Sequence, residues 1–139
     1  MNEKYELVKE WFHKAEHDIG IVELALQNDV VFTDVICYHC QQAVEKYLKG
    51  CLITLGIDYK RTHDLSYLLE LLIDHTQIEP EYFDFADILS SYAIEIRYPD
   101  DWYEPTKSEA KEAYRIAKSF KLLSEDIIRA KTVNSEPAK

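Results

Sequence analysis

Residues 33–56 read TDVICYHCQQAVEKYLKGCLITLG, and this stretch decides the fold. Its apolar side chains recur every three or four residues, which is the period of one face of an α-helix. That face consists of Ile36, Cys40, Ala43, Tyr47, Cys51 and Leu55. Thr33 or Asp34 can cap the start of the helix, and Gly56 is a suitable stop. A long helix with one apolar face predicts a helical core around which other elements pack.

The rest of the chain repeats the helical period in four further segments. Helices are predicted from about Glu3 to Leu26, after Asp64, from Pro80 to about Arg97, and after Thr106-Lys107-Ser108-Glu109. Asp64 is a suitable N-cap, and the Thr106–Glu109 spacing is typical of a capping box. Only three glycines and four prolines occur in 139 residues, which favours long helices. The predicted fold class is therefore all-α, an antiparallel four-helix bundle with an additional short helix.

Length and composition predict one helical domain over residues 1–130, followed by a flexible polar tail over residues 131–139. The formal net charge of −10 disfavours non-specific binding to nucleic acid, whose phosphates repel an acidic surface. No apolar run approaches the roughly 20 residues that span a bilayer. The N-terminus lacks a basic-then-apolar signal pattern. We therefore predict a cytoplasmic protein that does not associate with membranes.

Two short motifs are candidates for metal or redox chemistry. The segment from His13 to His17 matches H-x-x-E-H, but it lies on a charged helix face without a further cluster of ligands. The segment from Cys37 to Cys40 has C-x-x-C spacing, but no strand precedes it, and Cys40 lies on the apolar face. We therefore predict solvated histidines, reduced core thiols, no metal site and no resident cofactor.

The strongest candidate for ligand binding is Arg97-Tyr98-Pro99. A guanidinium group suits a phosphate or a carboxylate, and the Tyr98 ring can stack on a base. Pro99 disfavours helical geometry before it and so ends the helix. The acidic pair Asp100 and Asp101 would repel a bare phosphate but could supply oxygen ligands for Mg²⁺ carried by a nucleotide. An ion pair between Arg97 and Glu95, Asp100 or Asp101 is the structural alternative.

The helix over residues 33–56 also has a polar face, formed by Gln42, Glu45, Lys46 and Lys49. Lys46 and Lys49 are candidates for binding an anion. The alternative is that Glu45 and Lys49 form an ordinary i,i+4 ion pair on a helix surface. His63, next to the cap Asp64, is either a further ligand-binding residue or a residue that packs at the connection.

Asp18 falls on the apolar stripe of the first helix, between Ala15 and Val22. A buried carboxylate needs a partner, because an unpaired charge in the core costs several kcal/mol. Two partners are possible. One is a structural hydrogen bond to a neighbouring helix, and the other is an arginine such as Arg97, which Asp18 would orient.

Taken together, these features resemble the HEPN domain family. The resemblance extends from about Trp11 to Ile127 and rests on Ala15 and Asp18, on residues 38–49, on residues 62–65 and on residues 97–99. It implies an antiparallel helical bundle that forms a homodimer and that pairs with a minimal nucleotidyltransferase. One branch of the family contains metal-independent ribonucleases, whose motif is an arginine and a histidine separated by four to six residues. Another branch is non-catalytic and binds nucleotides.

The chain departs from the ribonuclease motif after Arg97. Trp102, Tyr103 and Glu104 occupy the positions at which the resemblance implies a histidine, and no histidine follows Arg97 anywhere. With this departure the resemblance implies a binding module without catalysis of its own, which binds a nucleotide or serves as the partner subunit of a minimal nucleotidyltransferase. The alternative is a ribonuclease, the toxin of a toxin–antitoxin pair, that uses Arg97.

Overall fold

Helices make up most of the part of the chain that the structure describes. The structure is a computed structural model that describes residues 3–93 and 103–135. Its helices are α1 (Glu3–Gln27), α2 (Thr33–Thr54), α3 (Leu65–Leu72), α4 (Glu81–Ser90) and α5 (Lys107–Ser135). Three are long and two are short, and the predicted all-α fold class is confirmed.

Helix α2 forms the centre of the bundle, because it packs against each of the other four helices. Five of the six residues on its predicted apolar face are buried, and Leu55 is half-buried. Cys37, Cys40 and Cys51 are free thiols inside this core, as predicted. The candidate site lies on the remaining faces of α2.

Two glycines have structural roles at the ends of this packing. A Cβ atom at Gly50 would lie 2.5 Å from Cε1 of Phe12, so the missing side chain lets α1 approach α2 closely. The Phe12 ring then packs edge-on against Tyr47, with ring centroids 5.2 Å apart. Gly56 has a φ of +73°, a left-handed conformation that glycine adopts without strain, and it follows the end of α2 as predicted.

The predicted caps are correct at α3 and α5 and differ at α2. A carboxylate oxygen of Asp64 accepts a hydrogen bond from the third residue of α3 at 3.2 Å. Thr106 and Glu109 exchange the two hydrogen bonds of a capping box, at 2.8 and 3.1 Å. Thr33 is already helical, and its hydroxyl donates to the carbonyl oxygen of Pro105 at 2.6 Å. The Thr33 hydroxyl therefore bonds to a buried backbone oxygen far away in the sequence and does not cap the helix.

Helix α4 ends at Ser90, whereas the sequence predicted an end near Arg97. The amides of Tyr92 and Ala93 bond to carbonyl oxygens three residues back, at 2.9 and 3.2 Å. The Ser91 hydroxyl also bonds to a carbonyl three residues back, at 3.0 Å. Such side-chain bonds compete with the i→i−4 pattern of an α-helix. The apolar period continues past Ser90 in the sequence, but the helix does not.

Helix α5 continues to Ser135, so residues 131–135 are helical where the sequence predicted the start of a flexible tail. It carries a polar face and a buried face, the latter formed by Ala110, Ala113, Ile116, Ala117, Phe120 and Ile127. None of the helices over residues 3–93 and 103–135 combines the length and the apolar character needed to cross a bilayer.

Candidate functional site

The predicted ligand-binding segment lies outside the residues that the structure describes. Arg97, Tyr98, Pro99, Asp100 and Asp101 all fall between residues 93 and 103. Their proposed contacts with a nucleotide, with Mg²⁺ or with each other therefore stay predictions. The described part of the site consists of polar residues on α1, α2 and the connection before α3.

The first polar group, which we call the Asp18 cluster, joins α1 to α2 and consists of Asp18, His39 and Lys46. The Asp18 carboxylate lies 2.8 Å from Nδ1 of His39 and 2.6 Å from Nζ of Lys46. Asp18 is buried. One of the two partners that the sequence left open, a hydrogen bond to a neighbouring helix, is therefore present, while Arg97, the other, lies outside the described residues. His39 was not predicted as a site residue, although it shares a helical face with Gln42 and Lys46.

The second polar group, the Glu45 cluster, joins α2 to the connection before α3 and consists of Gln41, Glu45, Lys49 and His63. Glu45 accepts from Nζ of Lys49 at 2.8 Å and lies 2.8 Å from Nδ1 of His63. The predicted i,i+4 ion pair is confirmed, but both side chains are less than 10% exposed. The Lys49 ammonium also lies over the Trp11 ring, 5.4 Å from its centroid.

Gln41 links the Glu45 cluster to the connection before α3 and to Gln42. Nε2 of Gln41 donates to Glu45 and to the backbone oxygen of His63, both at 3.3 Å. Nε2 of Gln42 donates to the side-chain oxygen of Gln41 at 2.8 Å. These bonds hold the connection before α3 against the central helix. Gln41 is fully buried, so its polar atoms need these partners.

The two clusters are balanced in charge. Two carboxylates, Asp18 and Glu45, each hold one ammonium group, from Lys46 and Lys49. With neutral imidazoles the combined clusters have no net charge. An arriving phosphate would therefore compete with buried carboxylates for both lysines, and separating such a pair is costly. Each of the two lysines is thus already paired with a carboxylate.

His63 is the most accessible titratable group of the two clusters, with a side chain that is 69% exposed. A carboxylate only accepts hydrogen bonds, so Nδ1 of His63 donates to Glu45 and Nε2 is left for solvent or a ligand. The buried Glu45 thereby sets both the tautomer and the orientation of an exposed imidazole. This arrangement suits binding or proton transfer at Nε2.

The two weak sequence motifs do not form reactive centres. His13 and His17 lie side by side on the exposed face of α1, with ring centroids 4.3 Å apart. No three histidine, cysteine or carboxylate side chains in the described segments converge to hold a metal ion. Burial raises the pKa of the Cys37 thiol to about 12 and also raises that of Cys40. Protonated, buried thiols are poor nucleophiles.

Comparison with known proteins finds relatives and solved structures that match most of the chain. MJ1304 of Methanocaldococcus jannaschii, whose name proposes a toxin, is 27% identical in an alignment of 145 positions, gaps included, that covers 94% of this chain and 92% of that protein. The crystal structure of TT1696 from Thermus thermophilus has a TM-score of 0.76 at 25% identity and covers 86% of this chain and 97% of that one. The structure of ST0689, described as an archaeal HEPN homologue, has a TM-score of 0.70 at 28% identity and covers 87% and 97%.

The sequence model of the HEPN domain matches residues 8–127, which contain both polar clusters and most of the helices that hold them. The helical order, the central α2 and the similarity to ST0689 agree with this match. The chain belongs to the HEPN domain family.

Proposed function

We propose that this HEPN domain is a binding module without catalysis of its own. Its proposed partner is a minimal nucleotidyltransferase, and a nucleotide is proposed as a further ligand. The observation that carries the proposal is the charge balance of the Asp18 and Glu45 clusters. The accessible members, His39, Lys46 and His63, are each held by a buried carboxylate. Such ordered polar groups suit hydrogen bonding to a protein surface better than capture of a bare anion.

The absence of a histidine after Arg97 supports binding rather than catalysis. A general acid–base group must be within hydrogen-bond reach of the proton that it moves. Where the ribonuclease motif has its histidine, this chain has Trp102, Tyr103 and Glu104, and the Tyr103 hydroxyl donates to Glu109 at 2.7 Å. The residues after Arg97 therefore contribute stacking and hydrogen-bonding groups rather than a proton carrier.

The nucleotide part of the proposal assigns Arg97 and Tyr98 to the phosphate and the base. Lys46 and His63 lie at the edges of the two clusters and would add hydrogen bonds, while Lys49 stays paired with Glu45. Mg²⁺, held by the nucleotide and by Asp100 and Asp101, would offset the acidic surroundings. In this arrangement the protein acts as a homodimer, as the family resemblance implies, and in the cytoplasm, as predicted from its N-terminus and its apolar runs.

Two measurements test the proposal directly. Co-expression with the product of the neighbouring gene, which the proposal expects to be a minimal nucleotidyltransferase, followed by size-exclusion chromatography, is expected to give one stable complex. Isothermal titration with ATP and GTP, each with and without magnesium, is expected to give heat that Arg97→Ala abolishes. Absence of both the complex and the heat would reject the binding module.

A second candidate function is a ribonuclease toxin. Two observations favour it: a relative whose name proposes a toxin, and the exposed imidazole of His63 that Glu45 orients. Purified protein would be incubated with structured and unstructured RNA beside Arg97→Ala and His63→Gln. The matched control is His75→Gln, a change at an exposed histidine of the α3–α4 connection. Equal cleavage by all four proteins, or none by any, rejects this candidate.

A further inference from the structure

The end of the α1–α2 hairpin exposes an unusual amount of apolar surface. We call this surface the hairpin tip and define it by five side chains that are 44–63% exposed, namely Ile21, Leu24, Val31, Phe32 and Val35. Single exposed apolar residues are common, but five of the eleven large exposed apolar side chains in the described segments fall within these 15 residues, which favours an interaction site at this end of the hairpin.

The hairpin tip is an ordered surface. The amide of Val30 donates to the carbonyl oxygen of Ala25 at 2.9 Å, and the Asn28 side chain donates to that of Leu24 at 2.8 Å. Asp29 takes the left-handed φ of 53° that the turn requires. At the other end of the turn, the bond from Thr33 to Pro105 holds the first residue of α2. A preorganised surface loses little conformational entropy when a partner docks.

Between Lys14 and Lys46 the α1–α2 hairpin carries only acidic charges. No lysine or arginine occurs between Lys14 and Lys46. Glu23 is already engaged by Tyr114 at 2.6 Å and by Lys118 at 3.5 Å, both on α5. Asp29 and Asp34 form no ion pair within residues 3–93 and 103–135 and so leave the rim of the patch negative.

We propose that the hairpin tip docks an amphipathic helix of a partner protein, with an apolar face bordered by lysine or arginine. The apolar face would cover the five tip residues, and the basic border would meet Asp29 and Asp34. A second copy of this chain fits less well, because it would bring the same acidic rim against itself. This inference rests on the proposed role as a partner-binding module and names the surface and the chemistry of the partner.

Continuity with the Asp18 cluster extends the surface. Val35 and His39 are four residues apart on α2 and therefore share a helix face. A helix lying on the tip and continuing along α2 would reach His39, which is 29% exposed and held by Asp18. The partner helix would then make apolar contacts at the hairpin tip and hydrogen bonds with the ordered imidazole of His39.

The test uses the full chain and a labelled synthetic peptide with leucines at helical i, i+3, i+4 and i+7 spacing and lysines elsewhere. Fluorescence anisotropy is expected to show binding at least about tenfold tighter than for a scrambled peptide of the same composition. The double variant Leu24→Asp/Phe32→Asp is expected to weaken binding by at least about tenfold. The matched control is Leu122→Asp, at a side chain of α5 that is 60% exposed, and it is expected to leave binding unchanged.

Four results would overturn the inference. Equal binding of the scrambled peptide would mean attraction by net charge alone, and an equal loss in Leu122→Asp would mean that the tip has no special role. Conversion of a dimer to a monomer by Leu24→Asp/Phe32→Asp, measured by sedimentation equilibrium without peptide, would assign the tip to a second copy. If the double variant still forms a complex with the nucleotidyltransferase, the hairpin tip is not the docking surface, but the proposed function stands.

Discussion

The Asp18 cluster and the Glu45 cluster share one carboxylate, one lysine and one histidine, but they differ in architecture. Asp18 reaches across from α1 to two residues of α2, so its bonds join two long helices. Glu45 pairs with Lys49 on the same helix and reaches His63 in a connection. The first cluster therefore fixes helix packing, while the second holds a loop against the bundle.

The clusters also differ in how much water reaches the cations. Lys46 is 21% exposed and His39 is 29% exposed, so both can turn to solvent if Asp18 is lost. Lys49 is 9% exposed and lies against Trp11, so its charge is the harder of the two to hydrate. The free energy of unfolding that is lost when a carboxylate is removed therefore depends less on the residue types of the cluster than on whether water can solvate the remaining cation.

Glu45→Ala is expected to have the largest effect. It leaves the Lys49 ammonium buried without a counter-charge, and breaking such a pair costs about 3–5 kcal/mol. Urea denaturation measures the free energy of unfolding. Glu70→Ala, at an exposed acid of α3, is the matched control and is expected to change it by less than about 0.5 kcal/mol. A loss below about 1 kcal/mol for Glu45→Ala would mean that Lys49 finds water.

Asp18→Ala is expected to have a smaller effect, about 2 kcal/mol, because Lys46 and His39 can be hydrated after the change. The matched control is Glu10→Ala, at an exposed acid of the same helix. Urea denaturation under the same conditions compares both variants with Glu45→Ala. A loss as large as that of Glu45→Ala would contradict the difference in solvent access between the clusters.

His63→Gln is expected to cost less than His39→Gln, and about 1 kcal/mol at most. The His63 side chain is mostly exposed, so only its bond to Glu45 is lost. Hydrogen exchange separates the two variants: His63→Gln is expected to speed exchange in the connection before α3, and His39→Gln is not. Equal exchange in that connection for both variants would show that His63 does not hold it.

The smallest expected effect on stability concerns Glu23, a residue of α1 that is paired with residues of α5. The hydrogen bond from Tyr114 holds the pKa of Glu23 below its ordinary value of 4.5, and Lys118 adds to this effect. Since the folded pKa is depressed, the stabilisation is present above pH 4.5 and is lost as the pH falls through the folded pKa. The Glu23 side chain is 37% exposed, so we expect about 0.5 kcal/mol.

Tyr114→Phe tests this pH dependence. The variant removes the donor, so the drop in unfolding free energy between about pH 6 and about pH 3 is expected to be smaller than in the parent protein. Thermal or urea denaturation at both pH values measures the drop. An unchanged drop would mean that Tyr114 does not depress the pKa of Glu23.

The helical periods and the caps were readable from the sequence because they depend on neighbours within one turn. The Asp64 cap and the Thr106–Glu109 capping box are such local features, and both are confirmed. The end of α4 was not readable, since the apolar period continues past Ser90 while the backbone turns. The Thr33 hydroxyl was assigned to the wrong partner because its acceptor, Pro105, lies 72 residues away.

For the site, residue type indicated the need for a partner but not its identity. Asp18 on an apolar stripe requires compensation, and the sequence left two partners open. His39 and Lys46 become partners only because the α1–α2 hairpin brings together residues 21 and 28 positions apart. In the same way, Glu45 is linked to His63 by packing of the connection before α3.

The sequence by itself determined the all-α class, the central helix, the family and the identity of most polar residues in the two clusters. These follow from periodicity and residue chemistry, which act over a few positions along the chain. Only the tertiary structure decided which carboxylate holds which cation, that Lys49 is buried, and that the hairpin tip is left uncovered. Those outcomes depend on contacts between distant segments, because burial and pairing are set by what packs against a side chain.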